Sequence, residues 1–187
     1  DIRIDGTSAQ LDSRWSSGEQ GQGTLSGSLG WAPLDVDLQL RGSALPVNVE
    51  PYAQLQVAPD LAITLRDNNL HVGGELAIPE GHIRVRELPA SAVTVSPDVV
   101  IVGQEAAEKG AALGITARVK LNIGDQLRLS AFGLRGRLKG QLEVQENLTA
   151  NGDLQILDGK FRRLGQELEL RRALLLFSGP ISQPYLN

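Results

Sequence analysis

Apolar residues recur at every second position along most of this chain. Leu138, Gly140, Leu142 and Val144 alternate with Lys139, Gln141 and Glu143, and Leu154 and Ile156 flank Gln155. A period of two sends successive side chains to opposite faces of a strand, so each such segment has one dry face. Matched along the sequence, the template predicts roughly fifteen strands. The first are centred on Ala9 to Trp15, Leu25 to Trp31, Leu34 to Leu40, Leu55 to Val57, Leu61 to Leu65 and Leu76 to Ile78. Then come Ile83 to Val85, Val93 to Val95, Val100 to Val102, Leu113 to Ile123, Leu127 to Leu129, Leu138 to Val144, Leu154 to Ile156, Leu168 to Leu170 and Leu174 to Leu176.

Turn chemistry punctuates these segments: "SSGEQGQG" at 16–23, "RDNN" at 66–69, "GG" at 73–74, "PEG" at 79–81, "SPD" at 96–98, "IGDQ" at 123–126, "QEN" at 145–147 and "LDG" at 157–159. Strands joined by such short connections pair antiparallel, because a parallel crossover needs a dozen or more residues. One stretch breaks the alternation. "GQEAAEKGAALG" at 103–114 has helix formers interrupted by Gly110 and reads as a flexible loop or at most one helical turn. No internal linker divides the chain, so residues 1–187 read as a single β-rich domain. A twisted sheet rarely exceeds about ten strands without curling, splitting or closing. A two-layer sandwich, a closed barrel and a sheet folded lengthwise into a trough all satisfy the alternation.

Composition narrows the character of the dry face. Thirty leucines stand against only seven aromatic residues, although aromatics usually dominate compact cores. Glycine is 21 of 187 residues, and Gly27, Gly136, Gly140 and Gly152 sit inside strands, where glycine permits bending or close backbone approach. The longest apolar run, Ala173 to Phe177, is far short of the roughly 20 residues of a membrane-crossing helix. The chain has no methionine, opens in mid-alternation and stops at "PYLN", as expected of a fragment of a longer protein.

The residues point away from catalysis. Cysteine is absent, which excludes disulfides, thiolate metal sites and cysteine nucleophiles. His71 and His82 lack companion ligands at organised spacing, so no metal or other cofactor is expected. "GEQGQGTLSGSLG" at 18–30 lacks the ending of a phosphate loop, and no Gly-x-Ser-x-Gly elbow occurs. Asp35 and Asp37 bracket Val36 on the polar side of a strand, where solvated charge is the ordinary reading. The net charge of −4 argues against a nucleic-acid partner. It is unevenly placed: residues 1–117 hold 7 Lys+Arg against 15 Asp+Glu, and residues 118–187 hold 11 against 7. Arg135, Arg137 and Lys139, opposite Leu138 and Leu142, form part of a basic end that reads either as a solvent face or as a contact for anionic headgroups or a partner.

Three motifs in order carry a family resemblance: Gly136-x-Leu138-x-Gly140-x-Leu142, then Gly152-x-Leu154-x-Ile156-x-x-Gly159-x-Phe161, then "LLLFSGPISQPYL" with Phe177, Gly179, Pro180, Pro184 and Leu186. With "GELAIPEGHIRVRELP" at 74–89 upstream, the chain resembles the C-terminal region of the TamB family of AsmA-like bridge proteins. The resemblance implies an all-β fold, an elongated, curved antiparallel sheet folded lengthwise into an open trough (a β-taco) with an aliphatic-lined groove. It implies a periplasmic part of a protein anchored in the Gram-negative inner membrane, within a translocation and assembly module. It further implies the outer-membrane barrel protein TamA as partner, and phospholipid or nascent outer-membrane β-protein, autotransporters included, as groove cargo. The expected lining is Leu61, Ile63, Leu65, Val93, Val95, Ile115, Val119, Leu121, Leu127, Leu129, Leu138, Leu142, Val144, Leu154 and Ile156. Ordinary packed core is the alternative reading of the same residues.

Overall fold

A computed structural model describes residues 1–85, 113–163, 166–170, 173–183 and 185–186. Among these the chain is all strand and turn: β1 (Ile2–Asp5), β2 (Ser8–Ser17), β3 (Gly21–Trp31), β4 (Leu34–Ser43), β5 (Leu45–Val49), β6 (Ala53–Arg66), β7 (Asn69–Val85), β8 (Gly114–Ala131), β9 (Leu134–Gln145), β10 (Thr149–Arg163), β11 (Gln166–Leu170), β12 (Ala173–Pro180) and β13 (Tyr185–Leu186). The expected strands at Val93 and Val100, and the loop at 103–114 up to residue 112, lie outside the described residues.

All thirteen strands belong to one open sheet, ordered β1-β2-β3-β4-β6-β7-β8-β9-β10-β12-β13, with β5 beside β6 and β11 beside β10. The two side branches continue their neighbours. Leu38 pairs Ile63 and Leu45 pairs Val57, so β4 and β5 run along the same edge of β6 in nearly one register. Gly159 pairs Leu170 and Ile156 pairs Ala173, so β11 and β12 share one register along β10. The sheet is thus a meander of consecutive neighbours, and among the described residues it does not close, since β1 pairs only β2.

One pair departs from the antiparallel expectation. β7 and β8 run parallel, with Leu70 beside Ile115 and Leu76 beside Leu121. Between them lie residues 86–113, long enough for the crossover that a parallel pair requires. The sheet is therefore mixed.

Several expected turns are bulges inside long strands. "PEG" at 79–81 lies within the 17-residue β7 and "IGDQ" at 123–126 within the 18-residue β8, and the pairing shifts there between Ile78 and Glu80 and between Ile123 and Leu127. "LDG" at 157–159 shifts β10 between Leu157 and Lys160, and "GG" at 73–74 continues β7 without a break. Glycine and proline mark bulges as well as turns, since both positions tolerate missing ladder bonds and unusual backbone angles. This is why the strands are fewer and longer than the alternation suggested.

The bulges fall on neighbouring strands and form a band across the sheet. Extra residues on one strand bend it and sharpen its twist, so aligned bulges crease the whole layer. The buried core sits against this crease. Leu127, Leu138, Ile156 and Ala173 occupy one cross-strand row of β8, β9, β10 and β12, and Leu55, Ile78, Ile83, Ile123, Leu129, Leu134 and Leu175 pack around them. Leu127 is fully buried although every described strand belongs to one layer. A side chain on a single layer is enclosed only where its face is concave, so the dry face lines the inside of an open trough.

Gly140 and Gly152 show how closely the strands approach beside the crease. Gly140 has φ +152°, and a Cβ there would stand 2.2 Å from the Asp153 carbonyl oxygen; Gly152 has φ +134° and the same 2.2 Å approach to the Gln141 carbonyl. Gly140→Ala is expected to lower stability by about 3 kcal/mol, through backbone strain and displacement of β10. Gly18→Ala, at a turn with φ +69° but open space, is expected to cost about 1 kcal/mol. Denaturant unfolding of the two variants measures the difference, and equal costs would contradict the close approach.

Candidate functional site

Cross-strand pairing assigns every strand residue to a face, because directly opposed residues point the same way. Leu25, Leu40, Leu61, Gly74, Val119, Val144 and Ala150 form one row from β3 to β10. Pro59, Leu76, Leu121, Leu142, Gly152 and Phe177 form the next, and Ile78, Ile123, Gly140, Leu154 and Leu175 the one beside the crease. All of these rows lie on a single face. It is aliphatic or glycine throughout its centre, and Trp15, Trp31, Phe161 and Phe177 belong to its periphery.

Of the fifteen expected lining residues, thirteen are described and all thirteen fall on this face; Val93 and Val95 lie outside the described residues. Burial separates them into two groups. Leu127, Leu138, Leu142, Leu154 and Ile156 are buried, the last only 2% exposed. Leu61, Ile63, Leu65, Val119, Leu121, Leu129 and Val144 are half-buried, and Ile115 is exposed. The first group is the floor of the crease, packed side chain on side chain. The second forms an accessible strip on β6, β8 and β9.

The strip is wider than expected. Val36 pairs Leu65 and Leu38 pairs Ile63, which brings β4 into it, and Leu70, Val72 and Leu76 add β7. These residues show the same alternation as the chosen ones and were separable from them only by strand order. The assignment of β12 is reversed: Leu175 opposes Leu154 on the dry face, whereas Leu174 and Leu176 oppose Gln155 and Asp153 on the polar one. Five consecutive apolar residues carry no alternation to read.

The opposite face is charged. Arg66 bridges Asp35 at 3.6 Å and Asp37 at 3.3 Å, Arg41 meets Asp60 at 3.3 Å, and Arg118 meets Glu143 at 3.6 Å. Arg137 donates to Asp158, and Arg162 to Glu167. Such exposed pairs contribute little stability singly, but they keep one side of the layer wet. The Ala117 backbone N–H donates to Glu146 at 3.0 Å and holds that carboxyl below its ordinary range, and Arg162 does the same for Glu167. His71 Nδ1 lies 2.9 Å from Thr116 Oγ1. No group of three or more His, Cys, Asp or Glu able to hold a metal occurs among the described residues, and none of their buried polar side-chain atoms lacks a hydrogen-bond partner.

The sequence that forms this open, two-faced sheet matches a known family. The profile of the TamB C-terminal domain covers residues 11–187. The chain belongs to the TamB C-terminal domain family. Among curated relatives, the translocation and assembly module subunit TamB of Haemophilus influenzae is 29% identical over 181 residues, covering 87% of this chain. The chain spans about 14% of that relative's length. Among the described residues of this TamB-family domain, no helix is long and apolar enough to cross a membrane.

The division of the dry face has a measurable consequence. Leu138→Ala is expected to cost about 3 kcal/mol, since it removes a packed side chain and leaves a cavity, whereas Ile63→Ala, half-exposed, is expected to cost about 1 kcal/mol. Thermal unfolding of both variants checks this, and a cost at Ile63 equal to that at Leu138 would mean that the strip is closed core.

Proposed function

We propose that this domain is a non-enzymatic segment of a periplasm-spanning conduit, in which the aliphatic strip carries phospholipid between inner and outer membrane. The conduit belongs to a translocation and assembly module and supports outer-membrane protein and autotransporter assembly. In the whole protein an inner-membrane anchor holds one end, and TamA at the outer membrane is the partner.

The observation that carries this reading is the row of half-buried aliphatic residues Leu40, Leu61, Val119 and Val144, interrupted only by Gly74, on the concave face of a sheet that stays open. Each methylene of an acyl chain laid on such a wall is worth about 0.8 kcal/mol, with no direction preferred along it. Leucine and valine walls, broken by Gly74 and Gly152, offer neither polar anchors nor bulky rings that would trap a guest. A tail can therefore bind by area and slide from row to row. The packed floor of Leu127, Leu138 and Ile156 holds the curvature while the strip does the carrying.

The second reading is a chaperone-like role, holding nascent outer-membrane β-strands by adding them to a sheet edge. It is favoured by β1, which among the described residues pairs on one side only and exposes Ile2 and Ile4 at 70% each.

Native mass spectrometry of the chain purified from membrane-containing extract tests the first reading. Co-bound phospholipid is expected for the wild type and is lost in Ile63→Arg and Leu121→Arg, both of which stay folded by circular dichroism because their side chains reach solvent. Photocrosslinkers at Ile63 and Ile4 separate the readings. Lipid captured at Ile63 supports the conduit, whereas peptide captured at Ile4 with no lipid at Ile63 supports strand addition.

A further inference from the structure

The polar face carries its own concentration of chemistry at one end of the sheet. β8 and β9 are joined there by a two-residue turn in which Phe132 and Gly133 both have positive φ, +50° and +88°. Turns of this kind favour asparagine, aspartate or glycine at the first position, since a phenylalanine there strains the backbone. Phe132 is moreover 59% exposed. A strained position held by a ring that is mostly exposed gains little from burial, which leaves the ring available for a contact outside the chain.

Arginines surround the turn. Cross-strand pairing places His82, Arg128 and Arg137 in one row and Arg84, Ser130, Arg135 and Lys160 in the next, all on the polar face. Phe132, Arg84, Arg128, Arg135 and Arg137 line one open cavity of about 790 Å³. Of the acids at this end, Asp158 pairs with Arg137, Glu167 with Arg162 and Lys160, and Glu169 with Lys160, while Glu80 and Asp125 lie beside Arg128 and Arg137 on the side away from the turn. Asp125 offers its carbonyl oxygen to Arg137. Among the described residues, Arg84, Arg128 and Arg135 have no ion-pair partner. Arg84 and Arg135 stand in one row two strands apart, roughly 10 Å, and Arg128 stands in the neighbouring row on the strand between them, a triangle that suits phosphate oxygens, which accept guanidinium N–H groups.

We propose that the β8–β9 turn and Arg84, Arg128 and Arg135 form a contact for an anionic phospholipid surface, the arginines holding headgroup phosphates and the Phe132 ring entering the acyl boundary. An exposed ring edged by cations is the chemistry of an interfacial anchor, in which the apolar tip and the charged stems meet different depths of one membrane. Tyr52, 37% exposed, lies at the same end, where its carbonyl accepts from the Arg84 backbone N–H. The contact is on the face opposite the aliphatic strip and does not depend on what the strip carries.

Co-sedimentation of the chain with vesicles of phosphatidylcholine, with and without about a third phosphatidylglycerol, tests the proposal. Binding is expected only with the anionic lipid, weakening as salt rises. Replacing Arg84, Arg128 and Arg135 together with Gln should lower affinity about a hundredfold, while the same change at Arg3 and Arg14 leaves it unaltered. Phe132→Asn relieves the strained turn, so the variant is expected to be as stable as the wild type or more so and yet to bind several-fold more weakly. Equal binding to both vesicle types, or a triple variant that binds like the wild type, would overturn the proposal. So would association with a soluble acidic polypeptide but with neither vesicle.

Discussion

A layer one strand thick has no second layer to cover its apolar face, and can bury that face only by bending. This constraint organises the domain. The bulges at Pro79, at Gly124 to Gln126 and at Asp158 supply the bend, and the row Leu127, Leu138, Ile156 and Ala173 is buried because the face curves around it. Bulges on adjacent strands reinforce each other, since an extra residue on one strand alone would break the ladder without turning the sheet. Gly140 and Gly152 allow the backbones of β9 and β10 to close where a side chain would hold them apart.

The same constraint leaves most of the dry face half-exposed. Curvature is concentrated at the crease, so Leu61, Ile63, Leu65, Val119 and Leu121 are sheltered without being sealed. In a compact domain this would be an aggregation hazard, because exposed aliphatic surface of that extent seeks cover. Here the strip stays accessible because the sheet stays open, and the charged opposite face keeps the other side of the layer wet. The scarcity of aromatics follows. Large rings would fill the concavity and turn the trough into a core.

The two faces are also chemically independent. Strand geometry sends alternate residues to opposite sides, so β8 presents Leu127 and Leu129 to the dry side and Arg128 to the other. One set of strands therefore presents an aliphatic surface on one side and a charged one on the other. Only at a turn does a residue escape this sorting, and Phe132 is an apolar side chain placed beside the arginines in that way.

Which residues share the dry face was legible in the sequence wherever polar and apolar residues alternate cleanly, as in Leu61 to Leu65 or Leu138 to Val144, because a period of two has only one structural meaning. It was not legible at Ala173 to Phe177, where consecutive apolar residues leave the phase open and only the pairing with β10 decides it. Glycine and proline marked where the backbone departs from a straight strand. Whether the chain turns back or merely bends depends on whether neighbouring strands continue the ladder, and so "PEG" and "IGDQ" were bulges. The parallel pairing of β7 and β8, the alignment of the bulges into one crease, and the separation of packed floor from accessible strip were decided by the tertiary structure alone. Each depends on which strands become neighbours, and periodicity along one strand carries no information about the strand beside it.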